Sequence, residues 1–231
     1  PLSNVTDIAE KGDGYELTVS RIDEQGNTLT EHKVECQYLF MGAGSMGTTS
    51  LLVKAKHKQT LSRLNDEVGK NWGNNGDTFG YIDTGTPCGS NAGGPAHIVG
   101  LDYENNPYGP QTIIGFPEPD NEKDTLIFLG MALPEESGYW DYSEDLGRPV
   151  LHWPNKSTSV KKMDDRMEYT LKKIAAQVTP ESARKTALES VKVHTGGTAH
   201  PCGGVVMGKA CDDYGRLAGY RGLYVVDGAL I

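Results

Sequence analysis

Hydrophobic and polar residues alternate along the first part of the chain, and the alternation predicts a β-meander over the first 40 residues. Tyr15–Ser20 and Thr28–Cys36 both show the period of two that is typical of a half-buried strand. The run Tyr38–Met41 is apolar throughout, which predicts a short strand buried on both faces. Glycines follow directly, and the apolar positions within Thr48–Lys58 then predict a short amphipathic helix.

The remaining chain mixes loops, strands and helices. Residues 59–95 are rich in Gly and Asn and predict loops, after which strands are predicted at His97–Leu101, Thr112–Phe116 and Leu126–Leu133. A helix is predicted to begin at a Ser157 or Thr158 cap, because apolar residues then recur at three and four positions: Val160, Met163, Met167, Leu171, Ile174 and Val178. Its methionines are assigned to the core.

A second, shorter helix is predicted over Pro180–Leu188, and another buried strand is predicted over Leu223–Val226. No internal repeat is visible. Taken together, these elements predict an α+β (mixed α/β) fold.

Composition narrows the classes of function. The 22 basic and 31 acidic side chains give a net charge of −9, which disfavours nucleic-acid binding as the main function. No apolar run is long enough to predict a transmembrane helix. No signal peptide is visible at the N-terminus, and the localisation stays open between cytoplasm and secretion. The cysteines show no C-x-x-C pair and are interpreted as free thiols: Cys36, Cys88, Cys202 and Cys211.

The first candidate for chemistry is a glycine turn, Gly42-x-Gly44-x-x-Gly47, between a predicted strand and a predicted helix. Such a turn can present backbone N–H groups to a pyrophosphate, as in nucleotide-dependent dehydrogenases. The acidic ribose ligand of those enzymes has no good match, because Asp66 and Glu67 have the right spacing but lie in a turn-rich stretch. The same motif is also compatible with a turn that lies close to some cofactor, or with a turn that binds no ligand.

The second candidate is His200, which Pro201 and a pair of glycines hold on constrained backbone. Its imidazole could take a hydroxyl proton near neutral pH, or it could be a hydrogen-bonded loop histidine. Cys202 could be a nucleophile, but a packed thiol explains it better. Zinc has suitable donors but no usual ligand spacing, so no metal site is predicted from these residues: His194, His200, Cys202 and Cys211.

Several longer stretches carry a family resemblance. They are similar to parts of the glucose–methanol–choline (GMC) family of FAD-dependent oxidoreductases, most of all the bacterial cholesterol oxidases: Tyr38–Gly47, Leu51–Val53, Glu67–Gly73, His200–Ala210, Asp212–Arg216 and Leu223–Ile231. The resemblance implies an FAD-binding part made of residues 1–77 and 204–231. It also implies a substrate-binding part, residues 78–203, in which an antiparallel sheet packs against helices.

The resemblance further implies roles for single residues. Val5 matches a family position whose backbone meets the adenine, and Gly42, Ala43 and Gly44 match positions near the cofactor. Asp227 and Gly228 match the segment that approaches the flavin and its ribityl chain. His200 matches the active-site histidine that hydrogen-bonds the hydroxyl of an alcohol or sterol and aids proton removal while hydride moves to the flavin.

The sequence also departs from the family. It lacks the first dinucleotide-binding loop and the asparagine partner of the histidine, so we expect an internal fragment of a longer enzyme that is weakly active or inactive alone. At the position of the glutamate that isomerises steroids it has Ile114, with Glu118 nearby. The alternative expectation is a steroid- or small-molecule-binding domain that keeps the fold without the chemistry. The oligomeric state is left open.

Overall fold

The computed structural model describes residues 2–85, 98–116 and 125–231. Helices and antiparallel sheets are both present, which confirms the α+β class. In chain order the elements are β1 (Ser3–Lys11), β2 (Gly14–Ile22), β3 (Thr28–Cys36), β4 (Leu39–Met41), α1 (Gly44–His57), β5 (Thr78–Asp83), β6 (Ile98–Asp102), β7 (Gln111–Phe116), β8 (Thr125–Met131), β9 (Tyr139–Ser143), β10 (Arg148–His152), α2 (Thr158–Val178), α3 (Glu181–Ser190), β11 (Lys192–His194) and β12 (Leu223–Val225).

The chain divides into two compact units. The first contains the chain up to Gly73, Ser137–Trp153 and Pro201–Ile231, and the second contains Asn74–Glu136 and Pro154–His200. Ser137–Trp153 falls inside the predicted substrate-binding segment but belongs to the first unit, because Trp140 and Tyr142 pack against the core of that unit. The assignment of the units to FAD and substrate stays a prediction.

The first unit is built on the predicted meander, in which β1, β2 and β3 pair antiparallel in that order. The short strands β4 and β12 pair in parallel, and their inner side chains join α1 in one apolar core that includes Met41, Leu52, Leu223 and Val225. The hairpin β9–β10 packs on α1.

The prediction that Tyr38–Met41 is buried on both faces is wrong. Phe40 is 61% exposed and stacks on Tyr224, with ring centroids 4.9 Å apart. Tyr38 is exposed as well. Only one face of the β4–β12 pair is covered by the core of the first unit, so a run that is apolar throughout does not indicate double burial here.

The second unit is a five-stranded antiparallel sheet in the order β11-β5-β8-β7-β6, with α2 and α3 against one face. The apolar stripe of α2 lies on that face together with Ile82, Ile113 and Phe128. The predicted cap is confirmed, because the Ser157 hydroxyl accepts a hydrogen bond from the Val160 N–H at 3.2 Å. The stripe ends early, since Val178 is exposed.

Five other elements differ from the sequence-based expectation. The loop-rich stretch 59–95 contains β5, and the hairpin β9–β10 and the short strand β11 were not predicted. Helix α1 begins at Gly44, four residues earlier than expected. Within the described part of the chain, no helix combines the length and apolarity needed to cross a bilayer.

Candidate active site

His200 ends the last loop of the second unit, and its imidazole is paired with a buried carboxylate. Its Nδ1 lies 3.1 Å from each carboxylate oxygen of Asp77, a residue 123 positions earlier in the chain. The Asp77 side chain is 0% exposed, whereas that of His200 is 47% exposed. The imidazole therefore has one edge held inside the unit and a substantial part open to a reactant.

Further donors fix the Asp77 carboxylate. Its Oδ2 accepts hydrogen bonds from the Thr198 hydroxyl at 2.8 Å and from the backbone N–H groups of Ala199 at 2.7 Å and His200 at 3.2 Å. Loop 198–200 thus wraps around one oxygen of the acid. Because a carboxylate accepts but cannot donate, the Nδ1 of His200 is the donor in this pair.

The pair lies at the edge of an apolar sheet face. Cross-strand partners form a row over β5, β8, β7 and β6 that we call the apolar row: Phe79, Leu129, Ile114 and Val99. Asp77 precedes Phe79 by two positions and so shares its face in an extended chain. A methyl group placed at Gly197 would lie 3.6 Å from the Phe79 ring, which brings the His200 loop next to the row.

A second cluster forms in the first unit, where β4 and β12 end and α1 begins. Asp227 accepts hydrogen bonds from the Gly44 N–H at 2.9 Å and from the Thr48 hydroxyl at 2.5 Å. Its other oxygen accepts from the Ala229 N–H at 2.8 Å. Glycine is favoured at position 44 because the backbone there has a φ of +76°. The structure thus brings Gly42, Ala43, Gly44, Asp227 and Gly228 to one edge.

This cluster bears on the dinucleotide interpretation of the glycine turn. A pyrophosphate at the start of α1 would meet the Asp227 carboxylate, which already takes the first helical N–H. Asp66 pairs with Lys56 in a turn, and Glu67 pairs with Lys70, so neither acid ends a strand. These contacts argue against a dehydrogenase that uses this turn.

The comparison with protein families bears on the same two clusters. Residues 143–231 match the GMC oxidoreductase family model. The match covers His200, Asp227 and Gly228, and it supports GMC oxidoreductase membership and an oxidoreductase class for this part of the chain. Asp77 lies outside the matched range, and no motif in the sequence pointed to it.

Two GMC expectations concern residues elsewhere. Val5 lies in β1, an edge strand of the meander, just before an irregularity in the pairing with β2. Among the described strands β1 pairs with β2 alone, so one backbone edge at Val5 faces outward from the sheet. Ile114 is half-buried in the apolar row. Glu118, the alternative acid, and Cys88 lie outside the described residues.

The remaining zinc and thiol candidates are dispersed. Cys211 is a buried free thiol that donates to the Val205 carbonyl oxygen, and burial raises its pKa to about 11. The Cys202 Sγ donates to the Gly73 carbonyl oxygen at 3.5 Å. His194 is exposed on β11. Within the described ranges, no three His, Cys, Asp or Glu side chains come together as a metal ligand set would.

Proposed function

We propose that the chain is part of an FAD-dependent oxidoreductase that oxidises the CH–OH group of an apolar alcohol. The observation that carries the proposal is the hydrogen bond from His200 Nδ1 to buried Asp77, made by a histidine inside the GMC match. With Nδ1 acting as donor, Nε2 is the nitrogen that accepts the hydroxyl proton of the substrate. The alcohol loses this proton from oxygen and a hydride from carbon, and it leaves as a carbonyl compound.

The residues present fit the cofactor. FAD, when bound, supplies the hydride acceptor. The exposed backbone of Gly42 and Ala43 lies at the carboxyl ends of the parallel strands β4 and β12, the edge at which parallel sheets bind ligands. Asp227 already neutralises the helix start, so we assign this edge to the neutral part of the cofactor and not to its pyrophosphate. Val5 would contact the adenine through its backbone.

The apolar row supports a sterol-like substrate. Phe79 and Ile114 are half-buried and present aromatic and aliphatic surface, while Leu129 between them is buried. This surface suits a rigid hydrocarbon body with one hydroxyl. Ile114 offers no proton-transfer group, and this favours oxidation without isomerisation. The same residue keeps a second candidate open, a steroid-binding domain without chemistry.

The test uses the purified 231-residue protein incubated with FAD and passed through gel filtration. We expect a weak visible flavin band that an apolar alcohol bleaches slowly under anaerobic conditions, because the chain is expected to be only weakly active alone. His200→Ala should keep the band and slow bleaching by about 100-fold or more, because general base catalysis is lost. His32→Ala is the matched control, an exposed histidine on strand β3 of the first unit, and should bleach at the wild-type rate.

Each part of the proposal can fail separately. A protein that retains no flavin contradicts the cofactor assignment for these residues. A flavin-loaded protein that no alcohol bleaches, but that binds sterols, favours the binding domain. Equal bleaching rates in wild type and His200→Ala contradict the role of His200.

A further inference from the structure

We infer that Asp77 is the positioning residue of His200 and sets which ring nitrogen carries the proton. The carboxylate holds the proton of the neutral imidazole on Nδ1 and leaves Nε2 as an acceptor. The inference rests on the proposed function for the identity of the proton donor. The tautomer itself depends only on these two side chains and can be measured without substrate or cofactor.

The loop that carries Asp77 is held by contacts that do not involve His200. The Asn74 amide donates to the Asp77 carbonyl oxygen, and its Oδ1 accepts from the Gly76 N–H at 3.0 Å. Gly76 has a φ of +66°, and a Cβ there would overlap the Ala132 carbonyl oxygen. Only glycine fits this position, and strand β5 begins directly after Asp77. The carboxylate is thereby held in place by backbone geometry.

Loop 198–200 is tied to the same acid at three points besides the imidazole. The Thr198 hydroxyl also lies 3.1 Å from the Asn74 carbonyl oxygen, so its single proton is shared between that carbonyl and Asp77. The His200 backbone N–H donates to Asp77 and to the Thr198 hydroxyl. With its backbone anchored in this way, His200 can present Nδ1 to Asp77 while the rest of the ring remains accessible.

The substitution Asp77→Asn separates positioning from packing. The amide has the same shape, and its Oδ1 can still accept from the Ala199 and His200 N–H groups. Nδ1 lies 3.1 Å from both oxygens of Asp77, so the NH₂ group takes one of these two contacts, and a donor there opposes a proton on Nδ1. We therefore expect the proton to shift towards Nε2, which turns the nitrogen that accepts the substrate proton into a donor.

The experiment measures the tautomer directly. Protein labelled with ¹⁵N in its histidines is examined by long-range ¹H–¹⁵N NMR at a pH where His200 is neutral, and His200→Gln identifies the His200 signals. We expect wild type to carry the proton on Nδ1 and Asp77→Asn to shift it towards Nε2. Two control variants should have the wild-type tautomer. Asp83→Asn changes the acid at the other end of β5. Thr198→Val removes one donor to Asp77 but keeps the contact of Asp77 with Nδ1.

The NMR outcomes test the role of Asp77 separately from the proposed function. A wild-type imidazole that carries its proton on Nε2 overturns the inference, even if Asp77→Asn fails to fold. An unchanged tautomer in folded Asp77→Asn overturns it too. A reversed tautomer supports it whatever the enzyme assay shows. In flavin-loaded protein, Asp77→Asn should also slow bleaching by about 100-fold with little change in KM. Normal bleaching together with a reversed tautomer would contradict the role of His200 in the proposed function. It would leave the positioning of the His200 proton by Asp77 intact.

Discussion

Two aspartates, Asp77 and Asp227, each fasten a loop by accepting several hydrogen bonds. Asp77 faces an imidazole and two backbone N–H groups, while Asp227 closes the start of α1 from the other end of the sequence. A carboxylate suits both positions because hydrogen bonds to a charged acceptor are stronger than neutral ones. The same residue type thus serves a candidate site in one unit and a structural cap in the other.

Asp227→Ala should destabilise the first unit. Gly44 and Ala229 lose the acceptor for their N–H groups and Thr48 loses the acceptor for its hydroxyl, a change of about 1–3 kcal/mol in the free energy of unfolding. Urea unfolding followed by tryptophan fluorescence measures it, and Asp213→Ala on an exposed neighbouring loop is the control. Equal unfolding midpoints for both variants would contradict the capping role.

Single residues also show how much of the candidate site could be predicted from the sequence. His200 stood out because Pro201 and nearby glycines constrain its backbone, and Asp227 stood out through the family resemblance. Asp77 did not, because it lies in an Asn- and Gly-rich stretch that predicts only a loop. Its partner is 123 positions away, and no periodic pattern connects the two.

Among the elements, α2 shows best what a periodic pattern determines. Leu171 lies at the centre of its stripe and is fully buried, whereas Val178 ends the stripe in solvent. The strands β9 and β10 left no comparable signal, because Pro149 and charged residues interrupt any alternation. Strand β4 has a clear apolar run but the wrong predicted environment, since burial depends on which elements cover it and not on its own composition.

Leu171→Ala should cost about 2–5 kcal/mol of unfolding free energy, because it removes a buried side chain and leaves a cavity between α2 and the sheet. Chemical unfolding followed by far-UV circular dichroism measures the loss. Val178→Ala, on the same helix, should change the value by less than about 0.5 kcal/mol. Similar losses in the two variants would mean that the stripe does not define the packed face.

At the scale of the whole molecule, the tryptophans and the most strongly perturbed thiol lie in one unit. Trp72, Trp140 and Trp153 belong to the first unit, so tryptophan emission reports on that unit. Burial also raises the pKa of Tyr15 and Tyr220 there and raises that of Cys211 to about 11. The unfolded chain therefore releases these protons at a lower pH than the folded unit does.

The first unit should lose stability as the pH rises above about 9, because the folded state holds protons that the unfolded state has released. Cys211 alone contributes a loss of about 2 kcal/mol by pH 11. Urea unfolding between pH 7 and 11, followed by tryptophan fluorescence, tests this. Cys211→Ser keeps a donor for the Val205 carbonyl oxygen and should show a shallower loss, and an identical pH dependence would contradict the contribution of the thiol.

The parallel pairing of β4 with β12 has a consequence for biosynthesis. Leu39–Met41 leave the ribosome 184 residues before their partners Leu223–Val225, and Gly44 leaves it 183 residues before the Asp227 cap of α1. Every residue of the second unit is made before Pro201. The first unit is thus completed after the second, and its long-range pairing makes it the slower to close. Until then the core around α1 lacks Val205, Leu223 and Val225, and the side chains that these residues will cover are a target for chaperones.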